Sequence, residues 1–143
     1  MVWGQSRAVM ITRTKDEPVV RTAYALYPSG GEWPDDWLDN PDNIALINDK
    51  GDVGLFETCS LMVYSGHYFF LSRGKEAVLT AKEMMALIFD KYRAEAIRGL
   101  VAEDHLASRW MARHLGFKSY GMVDTATKPH ELFVMTRSEF ENK

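Results

Sequence analysis

Three apolar runs in close succession, "NIALIND" at 43–49, "VGLFETCSLMVY" at 53–64 and "HYFFLS" at 67–72, constrain this chain more than any other feature. Separated by a "KGD" turn and by Ser65 and Gly66, they read as a meander of three strands. Such runs are too apolar for a sheet wetted on one side, so helices are expected on both faces. A suitable helix follows directly. Ala77, Ala81, Met84, Met85, Ile88, Phe89 and Tyr92 recur every three or four residues, giving an amphipathic helix of about four turns with Lys82, Glu83, Asp90 and Lys91 on its far side.

Before the meander, "RAVMITRT" reads as a strand, and residues 14–28 as a short helix with Thr14 and Glu17 spaced as a capping box. Pro28, Ser29, Gly30 and Gly31 end that helix, and Pro34 opens a brief second one. Around Trp33 and Trp37 stand Glu32, Asp35, Asp36, Asp39 and Asp42. After the long helix, "EAIRGLV" is a strand and "DHLASRWMARHL" a helix, with Leu106, Ala107, Trp110, Met111 and Leu115 on one stripe and Gly116 as its left-handed C′ residue. "FKSYGMVD", a "TATKP" loop and "HELFVMTR" close the chain as a hairpin. The order is β, α, α, β, β, β, α, β, α, β, β.

At 143 residues, with 46% apolar and 26% charged side chains, one globular domain over 1–143 is expected. A net charge of −3 gives no broad reason to bind nucleic acid or an anionic membrane. No run approaches the roughly 20 apolar residues of a membrane span, and the first residues lack a signal-peptide core, so a cytoplasmic protein is expected. The one cysteine, Cys59, excludes an internal disulfide and reads as a buried filler. His105 and His114, nine apart on one helix, do not share a metal, and no metal site is expected.

A strand, a helix ending "LGF" and a closing hairpin resemble the C-terminal half of the GNAT acetyltransferase fold, and the whole element order is similar to that superfamily. In that family the closing helix reads N-x-x-[AS] followed eight residues later by G-F; here Ser108, Gly116 and Phe117 keep the spacing, with His105 in place of the asparagine. The resemblance implies an α/β (α+β) fold: a seven-stranded mixed sheet with helices on both faces, a splayed parallel pair between strands 4 and 5, and a C-terminal β-hairpin. More narrowly, "HYFFLS", "YRAEAIRGLV", "RWMARHLGFKSYG" and "ELFVMTR" look similar to small GNAT-like proteins of tailed bacteriophages, some of them internal virion or head-assembly components.

The resemblance also implies a cofactor, acetyl-CoA, and a primary amine as acceptor. Its pantetheine would pair with the backbone of Phe70 and Leu71, and its pyrophosphate would lie near Thr80, Ala81 and Lys82. The family's phosphate loop, [QR]-x-x-G-x-[GA], falls on residues 76–81, where only Ala81 agrees, or starts at Arg73, where Glu76 and Val78 take the glycine positions. Side chains there obstruct close backbone approach, and a carboxylate repels a diphosphate by about 1 kcal/mol or more at short range.

Transfer to an amine needs a base for the ammonium and an acid for the departing thiolate. The family's acid, a tyrosine four residues after the [AS] position, is here Ala112. The substitutes are Ser108, Tyr64, His67 and Tyr120 for the acid, and Glu57 or His67 for the base. Each has a plain structural alternative: Glu57 an outward strand residue, His67 a surface histidine at a turn, His130 a loop residue. Trp110 and Met111 read as core and Arg109 and Arg113 as solvated, in place of a nucleic-acid surface. Around Trp33 and Trp37 the choice lies between an acceptor-side wall and a solvated acidic loop. Two functions remain open: an acyl-CoA-dependent N-acetyltransferase with a degenerate cofactor loop, and a fold without chemistry that serves a virion or self-association partner.

Overall fold

A computed structural model describes residues 10–25 and 36–142. Its strands are β1 (Thr12–Arg13), β2 (Ile44–Ile47), β3 (Val53–Ser60), β4 (Val63–Phe69), β5 (Ala96–Ala102), β6 (Lys118–Val123) and β7 (His130–Thr136). The helices are α1 (Glu17–Ala25), α2 (Gly74–Asp90), α3 (Leu106–Leu115) and α4 (Arg137–Glu141), with a 3-10 turn at Trp37–Asp39. The strands form a seven-stranded mixed sheet in the order β1-β2-β3-β4-β5-β7-β6. The expected seven strands, the helices before β2, after β4 and after β5, and the parallel β4–β5 pair are present, while the second helix expected from Pro34 falls on residues of which only a 3-10 turn at Trp37–Asp39 is described. Pro28, Ser29, Gly30, Gly31, Glu32, Trp33, Pro34 and Asp35 lie outside the described residues.

The chain divides into two compact units. One holds the described residues up to Phe56 together with His67–Met84. Its core joins Val20 and Ala23 of α1, Trp37 and Leu38 of the 3-10 turn, Ala45, Val53 and Leu55 of the sheet, and Phe69. Burying Trp37 and Leu38 anchors the otherwise acidic 36–42 stretch from within. Thr14 does not cap α1 as a box: its hydroxyl accepts from Asp16 N–H, and the helix starts later, at Glu17, which pairs with Arg21 one turn on.

The second unit comprises Glu57–Gly66 and the described residues from Met85 onward. Along β7 burial alternates strictly, with Glu131, Phe133 and Met135 inside. Phe133, Met135 and Ile97 are at most 1% exposed. α4 was not foreseen, although "TRSE" at 136–139 is a capping box: Thr136 Oγ1 accepts from Glu139 N–H at 3.1 Å and Glu139 Oε1 accepts from Thr136 N–H at 2.9 Å. Phe140 then stacks on Phe89 at 4.7 Å, and Arg137 donates to the Phe89 carbonyl. Gly116 closes α3 at φ 93°, as its position after the helix predicts.

Three further expectations need correction. The turn between β3 and β4 is at Leu61 and Met62, with Met62 at φ 61°, while Ser65, Gly66 and His67 lie within β4. Cys59 is exposed near the end of β3, so it fills no core. The α3 stripe is not a buried face: Leu106 is 69% and Trp110 46% exposed, and Leu115 alone of the five is buried.

Candidate functional site

β4 and β5 share three registered pairs, Val63 with Ala96, Tyr64 with Ile97 and Ser65 with Arg98, although each strand is seven residues long. At the next level, Gly99 lies close enough that an added Cβ would meet the Gly66 carbonyl at 3.9 Å. Glycine at both places lets the two backbones pass with no side chain between them.

The connection from β4 to α2 is four residues, 70–73. Its anchor is Asp52, a fully buried carboxylate from the β2–β3 turn. Asp52 Oδ1 accepts the N–H groups of Leu71 at 2.7 Å and Ser72 at 2.9 Å; Oδ2 accepts the Ser72 hydroxyl at 2.7 Å and Asn48 Nδ2 at 3.0 Å. Burial alone pushes this carboxyl up, but the Ser72 hydroxyl and N–H, Asn48 and the Leu71 N–H outweigh it and hold Asp52 below its ordinary 3.8. Arg73 turns back and donates to the carbonyls of Phe70 at 2.9 Å and Ser72 at 3.1 Å. Glu76, in the first turn of α2, pairs with Lys50 at 3.1 Å, its Oε1 standing 3.3 Å from Ser72 Oγ.

Because α2 begins at Gly74, residues 76–81 are helix and form no loop. Thr80 and Ala81 are fully buried, so neither meets a ligand from solvent in this conformation, whereas Lys82 is exposed. Phe70 is buried and Leu71 is 57% exposed, but the Leu71 N–H is held by Asp52. Sequence reasoning missed a third register of the loop pattern, starting at Leu71, which puts Gly74 on the first glycine position and Glu76 on the second. Gly74 has φ +61° and nothing within 4 Å of where a Cβ would stand. The first N–H groups of α2, from Gly74 on, have no acceptor inside the helix and carry its partial positive charge.

Glu57 is exposed on β3, His67 exposed on β4 and Ser108 half-buried on α3. Tyr64 is buried and Tyr120 exposed. His130 Nδ1 lies 2.8 Å from the Lys128 carbonyl, which fixes the proton on that nitrogen. Arg109 and Arg113, read as solvated, both hold Glu131: Nε of Arg109 at 2.8 Å and Nη2 of Arg113 at 2.6 Å, with the Ser119 hydroxyl at 2.6 Å. Burial raises the Glu131 carboxyl, and Ser119, Arg109 and Arg113 together bring it below its ordinary 4.5. Among the described residues, no group of three or more His, Cys, Asp or Glu is placed to hold a metal ion. No helix among them is long and apolar enough to cross a membrane.

No protein-family model and no curated protein sequence matches this chain. Solved structures do. A spermidine N-acetyltransferase, SpeG, from Vibrio cholerae superposes with a TM-score of 0.77 at 9% identity, covering 93% of this chain and 98% of that one. The aminoglycoside acetyltransferase AAC(6')-Ib, solved with paromomycin and acetyl-CoA, gives 0.72 at 16% identity over 94% and 97%. A ribosomal-protein-S5-alanine acetyltransferase from Vibrio fischeri gives 0.69 at 9% identity over 92% and 94%. With its parallel β4–β5 pair, its helix opened by a glycine and these neighbours, the chain has the fold of the GNAT acetyltransferases.

Proposed function

We propose that this protein transfers an acyl group from acyl-CoA to a primary amine. The observation that carries the reading is the parallel β4–β5 ladder, whose registered pairs end at Ser65 and Arg98 while both strands run on. A pantetheine amide pairs there in this reading, with Phe70 as the residue nearest the cofactor loop. The diphosphate meets the first N–H groups of α2 from Gly74, assisted by Lys75 and Lys82. The fit is partial, since Gly74 offers open approach while Glu76 presents a carboxylate two residues on. When bound, the cofactor supplies an acyl carbon activated as a thioester.

The chain's own task is proton handling. Glu57 or His67 takes a proton from the ammonium so that the nitrogen lone pair attacks; the new C–N bond forms as the C–S bond breaks, and the second proton shed by that nitrogen passes through Ser108 or water to the departing thiolate. Calorimetry with acetyl-CoA tests the proposal. Micromolar binding is expected, and no heat at millimolar cofactor ends it.

A second reading, a fold that serves assembly without transfer, is favoured by the arrangement at the α2 entrance. The Arg73 guanidinium is committed to carbonyls, and the carboxylate of Glu76 stands in the first helical turn. In that case the chain self-associates or travels with a larger particle, a phage virion among them. A monodisperse monomer that acetylates amines counts against it.

A further inference from the structure

Arg98 is the last residue of β5 paired with β4, level with Ser65, and its other neighbour is Val134 of β7. Residues level across a sheet share a face, as do every second residue along a strand. The face of Arg98 therefore also carries Leu100 with Leu132, and Ala96 with Thr136. The opposite face takes Ile97, Phe133 and Met135 into the core. The Arg98 face is not closed over: Leu100 is 42% exposed, and Leu132 and Val134 are half-buried.

On this apolar face the half-buried Arg98 has no carboxylate within ion-pairing distance and no acceptor for its nitrogens among the described residues, and its Nε is buried without a partner. Five other arginines are engaged through at least one guanidinium nitrogen, although the Nε of Arg13, like that of Arg98, is buried without a hydrogen bond. Arg109 and Arg113 hold Glu131, Arg137 the Phe89 carbonyl, Arg73 the carbonyls before it, and Arg13 those of Pro41 and Asn43. A buried donor left without an acceptor carries a desolvation cost that an uncharged side chain avoids, and a ligand oxygen placed there would relieve it.

We propose that Arg98 receives the carboxylate of an amine-bearing small molecule with an apolar side chain, so that the acceptor is of the amino-acid type; the word acceptor rests on the acyl-transfer reading above. A planar guanidinium matches a carboxylate with two parallel N–H···O bonds. A single cation suits a monoanion better than a phosphate. The next cation on the row, Lys118, is level with Val134 on β6, two strands or about 10 Å away, and lies over the Tyr120 ring. Leu100, Leu132 and Val134 flank the guanidinium with apolar surface for the side chain of the ligand.

The test uses the full chain without acyl-CoA, following arginine Nε–H signals by NMR while leucine or leucinamide is added. The two share the amine and side chain and differ in the carboxylate. Leucine is expected to displace the Arg98 signal saturably, and leucinamide to bind at least about tenfold more weakly, as for loss of a charged bidentate pair. Arg98→Gln should remove the preference and Arg98→Lys keep part of it. Since the guanidinium has no partner among the described residues to lose, Arg98→Gln should melt no lower than wild type. Equal binding of the two ligands, unchanged leucine binding in Arg98→Gln, no displacement at any soluble leucine concentration, or a lowered melting point in Arg98→Gln overturns the proposal. If leucine binds at Arg98 but acetyl-CoA gives no heat, the acyl-transfer reading falls and the carboxylate site stands. If acetyl-CoA binds but leucine and leucinamide are alike, the reverse holds.

Discussion

Asp52 and Ser72, twenty positions apart, meet through two hydrogen bonds, from the N–H and hydroxyl of Ser72 to separate carboxylate oxygens, and the Leu71 N–H adds a third bond to Asp52. This fixes where β4 ends and how the chain turns into α2. Asp52→Ala removes the acceptor for all of these and for Asn48. We expect a loss of about 3 kcal/mol, read as a lower urea midpoint at unchanged slope. Asp52→Asn, which keeps an acceptor oxygen, should lose less than half of that. An Asp52→Ala midpoint within error of wild type would show that the turn does not depend on this carboxylate.

Acid should unfold the protein through Asp52 and Glu131. Both carboxyls are held below their ordinary values in the folded state, so the stability they contribute is fully present above the unfolded values of 3.8 and 4.5 and fades as pH falls through the lower folded ones. The urea midpoint is therefore expected to be level from pH 7 to about pH 5 and to drop below about pH 4. Glu131→Gln should flatten that acid limb while lowering the plateau, because it leaves Arg109 and Arg113 without their counter-charge. A limb as steep in Glu131→Gln as in wild type would exclude Glu131 as a contributor.

Gly54 offers a test of packing. A Cβ there would lie 2.6 Å from Met84 Sδ and 3.2 Å from the Phe56 ring, so Gly54→Ala overfills the core at a cost of about 1–3 kcal/mol. Shortening Met84 to alanine opens that space. In a double-mutant cycle Gly54→Ala should cost markedly less in the Met84→Ala background, and strict additivity would refute the contact.

The last helix depends on its cap. Thr136→Ala breaks one half of the reciprocal pair with Glu139 and should cost about 1 kcal/mol. Amide exchange over residues 137–141 should quicken, while that of β7 stays slow. Equal quickening along β7 would mean that α4 and the strand open together.

What could be read in advance follows the range of the forces involved. The 77–92 periodicity, the "LGF" helix end and the closing hairpin are local patterns, and α2, Gly116 and the β6–β7 pair are where those patterns put them. The β3–β4 turn was misread because Ser65 and Gly66 carry turn chemistry, whereas Leu61 and Met62, which make the turn, carry none; tertiary pairing of β4 with β5 overrides the local preference. The exposed stripe of α3 was misread for a similar reason. Arg109 and Arg113 are tied down by Glu131, 22 and 18 residues away, which no helical period reveals. As for the candidate site, Gly74 was visible, but the helix start that gives it meaning depends on Asp52, a partner supplied from the other end of β3.

β6 is the edge strand at one end of the sheet, and between Ser119 and Met122 its register with β7 slips around Gly121, which sits at φ +91°. A slip of this kind kinks the strand and breaks the even row of amides along its free side. Along this edge another polypeptide therefore finds no regular template on which to add a further strand. Tyr120 and Met122 can thus stay in contact with water without this edge offering a straight row for fibril growth.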